Sequence, residues 1–291
     1  MQVFFSIIIP TYNRAHILGR ALEAILLQTF QDFEIVIADD GSTDNTREIL
    51  KPYLEDKRIK YFFQQNKGVC AARNLGASNA NGQYLVFLDS DDEVTENWLQ
   101  DFHDVNSRDF DIVFCSMKSI EPNGTIKMVS CKNPYNEPTP TNWGISIPGC
   151  WAIKRGLFIN SGMYDEKIKF GENTELRFRF QEKEKKIGLI DKYNLIYHKS
   201  SDGGSRNLEN KLTSNLYVID KHKPFFTENP EQELVFLKVA AVSAAKLGRF
   251  EQAGQLFKRA INIDKKNNKL WVQYFLTKIP FLCRLKWKVT G

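Results

Sequence analysis

The sequence predicts an α/β protein with a doubly wound mixed sheet and a small C-terminal helical appendage. Over the first 115 residues, short apolar runs rich in Ile, Val and Phe alternate with longer segments of helical periodicity, which is the pattern of βαβ units. Beyond Pro230 the periodicity is helical throughout. We therefore predict one α/β domain over residues 1–222, with halves at 1–116 and 117–222, followed by a helical region over 223–291.

Five strands are predicted in the first half, each a short apolar run: 4–9, 33–38, 59–63, 84–88 and 111–115. Between the first two, apolar residues recur about every 3.6 positions and predict a helix with one face on the sheet: Ile17, Leu18, Ala21, Leu22, Ile25 and Leu26. Ser42 and Thr43 are suitable caps for the next helix, and Gly68 precedes the one after it.

The second half is predicted to be less regular. The alternation stops between about residues 117 and 143, where a Pro-Asn-Gly turn and several prolines predict a loop-rich insert. A helix is predicted from near Glu172, followed by strands at 187–190 and 195–197. A flexible loop is predicted at 200–207 because it contains two adjacent glycines.

Composition excludes several classes of protein. A net charge of +5 over 291 residues is too small to predict nucleic-acid binding. Five scattered cysteines without a Cys-x-x-Cys pair favour a reducing compartment. The N-terminal apolar run has the character of a strand rather than of a signal peptide, and no run of about 18 apolar residues is uninterrupted. We therefore predict a cytoplasmic protein that does not span a membrane.

The C-terminal region has two notable segments. Residues 244–260 resemble one tetratricopeptide-like helical hairpin, which we expect to be a small helical appendage. Seven Lys or Arg residues and no Asp or Glu lie between 265 and 288, interleaved with apolar residues from Leu276 to Trp287. This tail predicts either an interfacial helix on anionic lipid or a terminal helix that docks its apolar side on the protein.

Acidic clusters follow two of the predicted strands. Asp39-Asp40 ends the second strand, and Asp89-Ser90-Asp91-Asp92 ends the fourth. Ligands of open parallel sheets bind at the carboxyl ends of the strands, and carboxylates that converge there repel one another unless a cation lies among them. Hard oxygen ligands suit Mg²⁺ or Mn²⁺, for which a diphosphate is a natural partner. The alternative interpretation is a solvated acidic turn.

Five motifs appear in order along the chain: Ser6-Ile7-Ile8-Ile9-Pro10-Thr11-Tyr12-Asn13-Arg14, Gln28-Thr29-Phe30, Asp39-Asp40-Gly41-Ser42-Thr43-Asp44, Asn66-Lys67-Gly68 with Ala72-Arg73-Asn74, and Phe87-Leu88-Asp89-Ser90-Asp91-Asp92. Together they resemble glycosyltransferase family 2, whose members have the GT-A fold. The resemblance covers about residues 3–200. It implies a nucleotide-binding half at 1–116 and an acceptor-binding half at 117–222.

By this resemblance, Asp40 accepts a hydrogen bond from the nucleoside base and Asp91 is a metal ligand. Asp89 lies near the ribose and the metal. His198 lies near the metal or diphosphate, with a surface or structural role as the alternative. Arg73 lies near the nucleotide, although a structural ion pair with a nearby Asp is the alternative. The residues implied to bind the nucleotide sugar are Pro10, Thr11, Tyr12, Arg14, Asp39, Asp40, Asn66, Gly68, Arg73, Asp89 and Ser90.

The sequence departs from the family where the catalytic base is expected. Many relatives carry Glu-Asp before a helix, and here the pair is Glu172-Asn173. An amide is not a useful base near neutral pH. Three explanations are open: Glu172 is the base, Asn173 orients the acceptor while Glu175 or a water acts, or transfer has been lost. Asn173 is also a suitable helix N-cap. We favour Glu172.

The resemblance implies inverting transfer of a sugar from a nucleoside diphosphate sugar, with uridine favoured by family habit. The acceptor is a glycan or a lipid-linked saccharide in bacterial surface polysaccharide assembly, at the inner face of the cell membrane. One alternative is a related nucleotide-binding protein without transfer activity. A nucleotidyltransferase is disfavoured because no Gly-rich loop with Lys or Arg follows the first strand.

Overall fold

The structure is a computed structural model that describes residues 3–106, 109–132, 145, 147–180, 185–199 and 207–287. Contacts divide the described residues into two compact units. One comprises those of Met1–Glu166 and Glu172–Ser201, and the other those of Lys167–Gly171 and Asp202–Gly291.

The first unit is built on one mixed sheet, as predicted. Within the described residues its nine strands are β1 (Phe5–Thr11), β2 (Phe33–Asp39), β3 (Ile59–Phe63), β4 (Tyr84–Phe87), β5 (Glu93–Val94), β6 (Ile112–Ile120), β7 (Ile126–Val129), β8 (Trp151–Lys154) and β9 (Ile187–His198). The order is β3-β2-β1-β4-β8-β6-β9-β5, and β7 pairs with β6. The first four strands run parallel, β8 is antiparallel to β4 and β6, and β9 is parallel to β6 but antiparallel to β5.

The helices of this unit are α1 (Leu18–Leu26), α2 (Thr46–Leu50), α3 (Val69–Ser78), α4 (Trp98–Asn106), α5 (Arg155–Asn160) and α6 (Glu172–Arg179), and a 3₁₀ turn lies at Tyr53–Glu55. Every residue of β1 and β2 is buried, which is characteristic of strands covered on both faces. The apolar stripe of α1 is buried at Leu18, Ala21, Leu22 and Ile25. This confirms the helix predicted from periodicity.

Local predictions at the helix starts had mixed outcomes. Gly68 is the N-cap residue of α3 with φ +98°, as its position before that helix predicted. Ser42 and Thr43 do not cap α2, because that helix begins at Thr46 and Asn45 occupies the N-cap position. The Ser42 hydroxyl instead accepts a hydrogen bond from the N–H of Asn13 at 2.9 Å.

The predicted loop-rich insert is wrong in its first part. β6 continues to Ile120 and forms a hairpin with β7 inside the range 117–132. Most of the remaining insert lies outside the described residues, as do residues 200–206 of the loop predicted at 200–207.

The two strands predicted at 187–190 and 195–197 are one strand, β9. Its register against β6 shifts around Ser116, where a β-bulge or similar irregularity interrupts the pairing. The polar stretch between the two predicted strands includes Asn194, which is buried and hydrogen-bonded to Thr95 and Asp101 at 3.0 Å each.

The second unit is helical within the described residues: α7 (Leu208–Lys221), α8 (Lys223–Glu228), α9 (Pro230–Lys246), α10 (Phe250–Ile263), α11 (Asn268–Leu276) and α12 (Pro280–Trp287). α9 and α10 pack against one another, and small residues such as Ala240, Ala244 and Ala253 are fully buried in them. The tetratricopeptide-like character of this pair stays a prediction. In the part of the chain that is described, no helix is both long enough and apolar enough to cross a membrane.

Candidate active site

The carboxylate of Asp40 organises the loop between β3 and α3. Its Oδ1 accepts hydrogen bonds from the Gln64 amide at 2.7 Å and from the Lys67 N–H at 2.9 Å, and its Oδ2 accepts from the Gly68 N–H at 2.7 Å. Asp40 is buried, and it lies at the start of α3, where the partial positive charge of the helix stabilises a carboxylate. Asp40 therefore shapes the loop that carries Gly68 and the exposed Asn66.

Asp39 is held by internal partners. It accepts hydrogen bonds from the Ser42 N–H at 2.8 Å and from the Tyr61 hydroxyl at 2.7 Å. Burial and this bond raise the pKa of Tyr61, so that its hydroxyl remains a donor. Gly41 follows with φ +86°, and a Cβ there would lie 2.8 Å from the backbone nitrogen of Asn66. The turn after β2 thus requires glycine for both its backbone conformation and its close approach.

The end of β1 contributes an unpaired polar atom. Thr11 is buried, its carbonyl accepts the N–H of Asp40 at 2.8 Å, and its Oγ1 meets no hydrogen-bond partner among the described residues. Pro10 is buried opposite Ala38, whereas Tyr12 is 47% exposed. A buried hydroxyl without a partner is costly, which makes Thr11 Oγ1 a candidate ligand contact.

The loops after β1 and β2 are joined by side chains. Asn13 has φ +53°, and its Oδ1 accepts from the N–H groups of Thr43 at 2.8 Å and Asp44 at 3.3 Å. Asp44 in turn accepts from the N–H of Ala15 at 3.1 Å. These bonds hold the loop that carries Arg14 against the Asp39–Asp44 turn.

Asp89, Asp91 and Asp92 form the acidic group of the site. Carboxylate oxygens of all three lie within 4.8 Å of one another. Asp92 is fully buried with Ser90 beside it, and its Oδ1 accepts the N–H of His198 at 2.9 Å. Its buried Oδ2 has no hydrogen-bond partner among the described residues. The structure therefore brings Asp89 and Asp91 together with Asp92.

The crowding of these carboxylates changes their proton affinities. Burial, reinforced by the charge of Asp89, raises the pKa of Asp91, while Arg14 opposes that shift. Burial and Asp89 likewise raise the pKa of Asp92 well above its usual range, against the stabilising N–H of His198. A cation among these oxygens would favour the ionised forms.

The imidazole of His198 pairs with Glu93 and not with the acidic group. Its Nε2 lies 2.6 Å from Glu93 Oε1. Arg20, on α1, approaches the same oxygen at 3.3 Å and donates to the backbone carbonyl of Asp91 at 2.5 Å. These side chains brace the acidic turn from α1 and β9. A metal-binding role for His198 stays a prediction.

Arg73 joins the acidic turn to the segment where the base was expected. One amino group donates to Asp89 at 2.7 Å and the other to Glu172 at 2.7 Å. The guanidinium is 3% exposed and lies 5.5 Å from the centre of the Tyr164 ring. The two carboxylates raise the pKa of Arg73 well above its usual value against the opposing effect of burial, so the charge is permanent.

Asn173 is the second residue of α6 and is not its N-cap, contrary to the capping interpretation. Its Oδ1 accepts the Tyr164 hydroxyl at 2.7 Å, and its Nδ2 donates to Glu172 Oε1 at 3.4 Å. Glu172 is largely buried, with 15% of its side chain exposed. Its two hydrogen-bond donors among the described residues, Arg73 and Asn173, both bind Oε1. Its Oε2 has no hydrogen-bond donor among the described residues.

Glu175 is unsuited to act as the base. It is fully buried, and Arg179 donates to both of its oxygens at 2.9–3.0 Å. Arg179 also donates to backbone carbonyls of Ser161 and Met163. This pair therefore ties α6 to the segment after α5.

Sequence reasoning missed Tyr164 and did not assign roles to Asn74 or Gln64. Asn74 fixes Tyr164 through two bonds, accepting its N–H at 3.0 Å and donating to its carbonyl at 2.9 Å. Asn74 stands in a quoted motif next to Arg73, which was an available signal. Nothing near Tyr164 in the sequence indicates that it faces residues about 90 positions earlier.

Comparison with known sequences agrees with these motifs. The family model for glycosyl transferase family 2 matches residues 6–162. The minor teichoic acid biosynthesis protein GgaB of Bacillus subtilis is 30% identical over 247 residues, covering 79% of this chain and 27% of that protein. An uncharacterized glycosyltransferase of Rickettsia felis is 54% identical over 87 residues, or 30% of this chain. The chain spans only 14% of the length of that relative.

Solved structures agree on the fold. The crystal structure of S. aureus TarS 1-349 in complex with UDP-GlcNAc superposes with a TM-score of 0.65 at 20% identity, covering 96% of this chain and 91% of that one. The mixed sheet and its helices thus have the GT-A fold. The motifs, the fold and the matched family model lead to one conclusion: the chain belongs to glycosyltransferase family 2.

Proposed function

We propose that the protein transfers a sugar from a nucleoside diphosphate sugar to a saccharide acceptor with inversion at the anomeric carbon. One observation carries this proposal. Arg73 contacts both Asp89 and Glu172. The side chain of Arg73 therefore connects the turn that would hold the donor to the carboxylate that would receive the acceptor's proton.

The donor nucleoside is proposed to bind at the carboxyl ends of β1 and β2. Thr11 offers a buried hydroxyl that has no described protein partner, and Asp40 has shaped the adjoining loop. The exposed ring of Tyr12 is available for contact with a base. UDP is the proposed nucleotide, supported by the UDP and UDP-GlcNAc complexes of the similarly folded TarS.

A divalent cation fits the acidic group. The oxygens of Asp89, Asp91 and Asp92 converge, and the buried Oδ2 of Asp92 lacks a described partner. This all-oxygen set suits Mn²⁺ or Mg²⁺. When bound there, such an ion neutralises the charge that develops on the departing nucleoside diphosphate.

Glu172 is proposed as the general base. Its Oε2 is available to an acceptor hydroxyl, whereas Glu175 is enclosed by Arg179. As the acceptor oxygen forms its bond to the anomeric carbon, its proton passes to the Glu172 carboxylate. The bond from that carbon to the phosphate oxygen breaks, and its electron pair leaves with the nucleoside diphosphate.

The acceptor is proposed to be a glycan or lipid-linked saccharide in bacterial surface polysaccharide assembly. The similarity to GgaB, named for minor teichoic acid biosynthesis, supports this class of acceptor. A lipid-linked acceptor would place the reaction at the inner face of the cell membrane.

Contact with that membrane is proposed through the tail surface, which we define as the exposed apolar residues of α11 and α12 with their basic neighbours. On α12, Phe281, Leu282 and Leu285 are 70%, 39% and 63% exposed. At about 100° per residue they share one face of the helix, and Arg284 and Lys286 flank it on opposite sides. Apolar side chains between basic ones match an anionic lipid surface.

A second copy of the chain fits the tail surface less well. No Asp or Glu lies between residues 265 and 287, so a symmetric contact would bring two positive surfaces together. α12 does pack inward, but through Cys283 and Trp287, with Trp287 stacked on Phe257 of α10. That packing leaves the apolar face of α12 exposed.

The proposed activity is tested by thermal shift and transfer assays with a panel of nucleoside diphosphate sugars, with and without Mn²⁺. A donor at about 100 times its dissociation constant should stabilise the fold by roughly 2.7 kcal/mol. The expected result is stabilisation by one donor, transfer to a saccharide acceptor, and loss of transfer in Glu172→Gln with donor binding retained.

Asn173 favours the alternative of a nucleotide-binding protein without transfer. Donor stabilisation without transfer to any acceptor would support that alternative. No stabilisation by any nucleoside diphosphate sugar would contradict both functions.

A further inference from the structure

Asn173 occupies the position where a second carboxylate was expected, and its side chain is engaged at both ends. It is 8% exposed. Its Oδ1 accepts the Tyr164 hydroxyl at 2.7 Å, and its Nδ2 lies 3.4 Å from Glu172 Oε1. The opposite orientation of the amide would place its carbonyl oxygen against a carboxylate. The observed orientation is therefore the electrostatically favourable one.

Tyr164 is itself firmly held. Asn74 binds both its N–H and its carbonyl, and Arg73 lies over its ring. Burial raises the pKa of Tyr164 well above its usual value, against the opposing charge of Arg73, so the hydroxyl stays protonated and donates. The hydroxyl thus gives Asn173 a fixed point of attachment.

An Asp at position 173 would change the charge balance. The charge of Arg73 is already shared between Asp89 and Glu172. A third carboxylate next to Glu172 would repel it and favour protonation of one of the two. The neutral amide leaves Glu172 as the carboxylate of the pair.

We propose that Asn173 and Tyr164 are positioning residues for Glu172: Tyr164 fixes the amide of Asn173, and that amide fixes the carboxylate so that Oε2 faces the acceptor. In this proposal the base is Glu172, the residue before the position where the family carries it, and Asn173 is its positioning partner. The inference rests on the proposed function, because it requires that Glu172 removes the acceptor's proton.

Tyr164→Phe tests the hydroxyl with little change in shape. We expect kcat to fall roughly 10-fold to 100-fold, because small misplacements of a reacting group are costly, while the donor KM changes less than twofold. Tyr84→Phe is the matched control, since Tyr84 is also buried and its hydroxyl donates to the Phe110 carbonyl at 2.8 Å. Equal losses of kcat in the two variants, or a loss confined to donor KM, would overturn the proposal.

Isosteric exchanges at 172 and 173 test where the base lies. Asn173→Asp should lower kcat, and Glu172→Gln should lower it by about 10²–10⁴-fold. The double variant Glu172→Gln with Asn173→Asp should stay as slow as Glu172→Gln. A double variant that recovers transfer would show that position 173 can hold the base, and the positioning role would be wrong.

The experiments distinguish a failure of the proposed function from a failure of the positioning role alone. If the unaltered protein transfers no sugar from any donor that stabilises it, the proposed function fails before these variants are compared. If it transfers and Asn173→Asp is faster, only the positioning role fails.

Discussion

Arg73 and Glu172 form a buried ion pair between residues that are 99 positions apart, with 2.7 Å between Nη1 and Oε1. The second amino group of the same guanidinium is bound to Asp89. One permanent positive charge therefore holds two carboxylates that would otherwise repel each other.

Replacement of Arg73 by Met should destabilise the fold by about 3 kcal/mol, because it leaves two carboxylates without their shared cation. Arg73→Lys keeps the charge but cannot make two directed bonds, so an intermediate loss is expected. Urea unfolding at pH 7 measures both. A loss under about 0.5 kcal/mol in Arg73→Met, the range of ordinary surface changes, would contradict a central role for this pair.

Asp91→Asn should abolish the Mn²⁺ dependence of donor binding, because it removes one of three converging oxygen ligands. Thermal shift with donor, with and without Mn²⁺, measures the effect. Asp191→Asn is the control, since that carboxylate is half exposed and pairs with Lys132. A donor shift in Asp91→Asn that still depends on Mn²⁺ would remove Asp91 from the metal site.

Glu34 should make stability depend on pH. Burial alone would raise its pKa, but bonds from Lys60, Ser6 and Asn81 together lower it below its usual value of 4.5. A carboxyl with a lower pKa in the folded state stabilises the fold above its unfolded pKa, and this contribution is lost as the pH falls through the folded pKa. Glu34→Gln should therefore cost about 1.5–3 kcal/mol at pH 7.

The cost of Glu34→Gln should shrink as the pH is lowered below about 4.5. Urea unfolding across pH 3–7 measures it, with Glu48→Gln as the control because its pair with Lys51 is exposed. A difference between the parent and Glu34→Gln that does not change with pH would refute the linkage.

Gly41→Ala should weaken donor binding as well as stability. A Cβ there would collide with the backbone of Asn66, in the loop that Asp40 organises, and the positive φ adds about 1–2 kcal/mol. Gly156→Ala is the control, because nothing lies within 4 Å of a Cβ at that position. Donor affinity and stability in urea unfolding should both fall in Gly41→Ala. Gly156→Ala should leave donor affinity unchanged and should not lower stability, because Gly156 lies in α5 and alanine is favoured over glycine in a helix.

Replacement of Arg284 and Lys286 by Gln should release the protein from anionic vesicles. Each basic residue near such a surface contributes about 1 kcal/mol, so the pair should weaken binding roughly 30-fold. Phe281→Ser with Leu285→Ser should also weaken it, whereas Val235→Ser, at an exposed apolar residue of α9, should not. Co-sedimentation with phosphatidylglycerol vesicles measures this, and equal binding to phosphatidylcholine vesicles would contradict the charge-based interpretation.

The sequence was most informative where an element depends on residues that are close together in the chain. The strands β1 to β4 are short apolar runs, and their bounds differ from the predictions by at most two residues. β9 was split because its middle is polar, and Asn194 is satisfied there by residues about 90 to 100 positions away. Partners at that separation leave no periodic signal in the sequence.

The site shows the same contrast between features set by neighbouring residues and features set by distant ones. The acidic turn was predicted because its carboxylates are neighbours in the sequence, and the structure adds the contacts of Arg20 and His198 that hold it. The link from Arg73 to Glu172 joins residues 99 positions apart, and Tyr164, which binds Asn173, is held by Asn74 of α3. No local pattern could have predicted that Arg73 binds Glu172 and that Tyr164 binds Asn173.

The pairing of β5 with β9 has a consequence for how the protein is made. Glu93 lies opposite Ile196, and the N–H of His198 holds Asp92, so the acidic turn is fixed by residues synthesised about a hundred positions later. Contacts this distant in sequence form late because a long loop must close first. A nascent chain or fragment that ends before β9 would have the strands of the donor half but lack the support of its acidic turn.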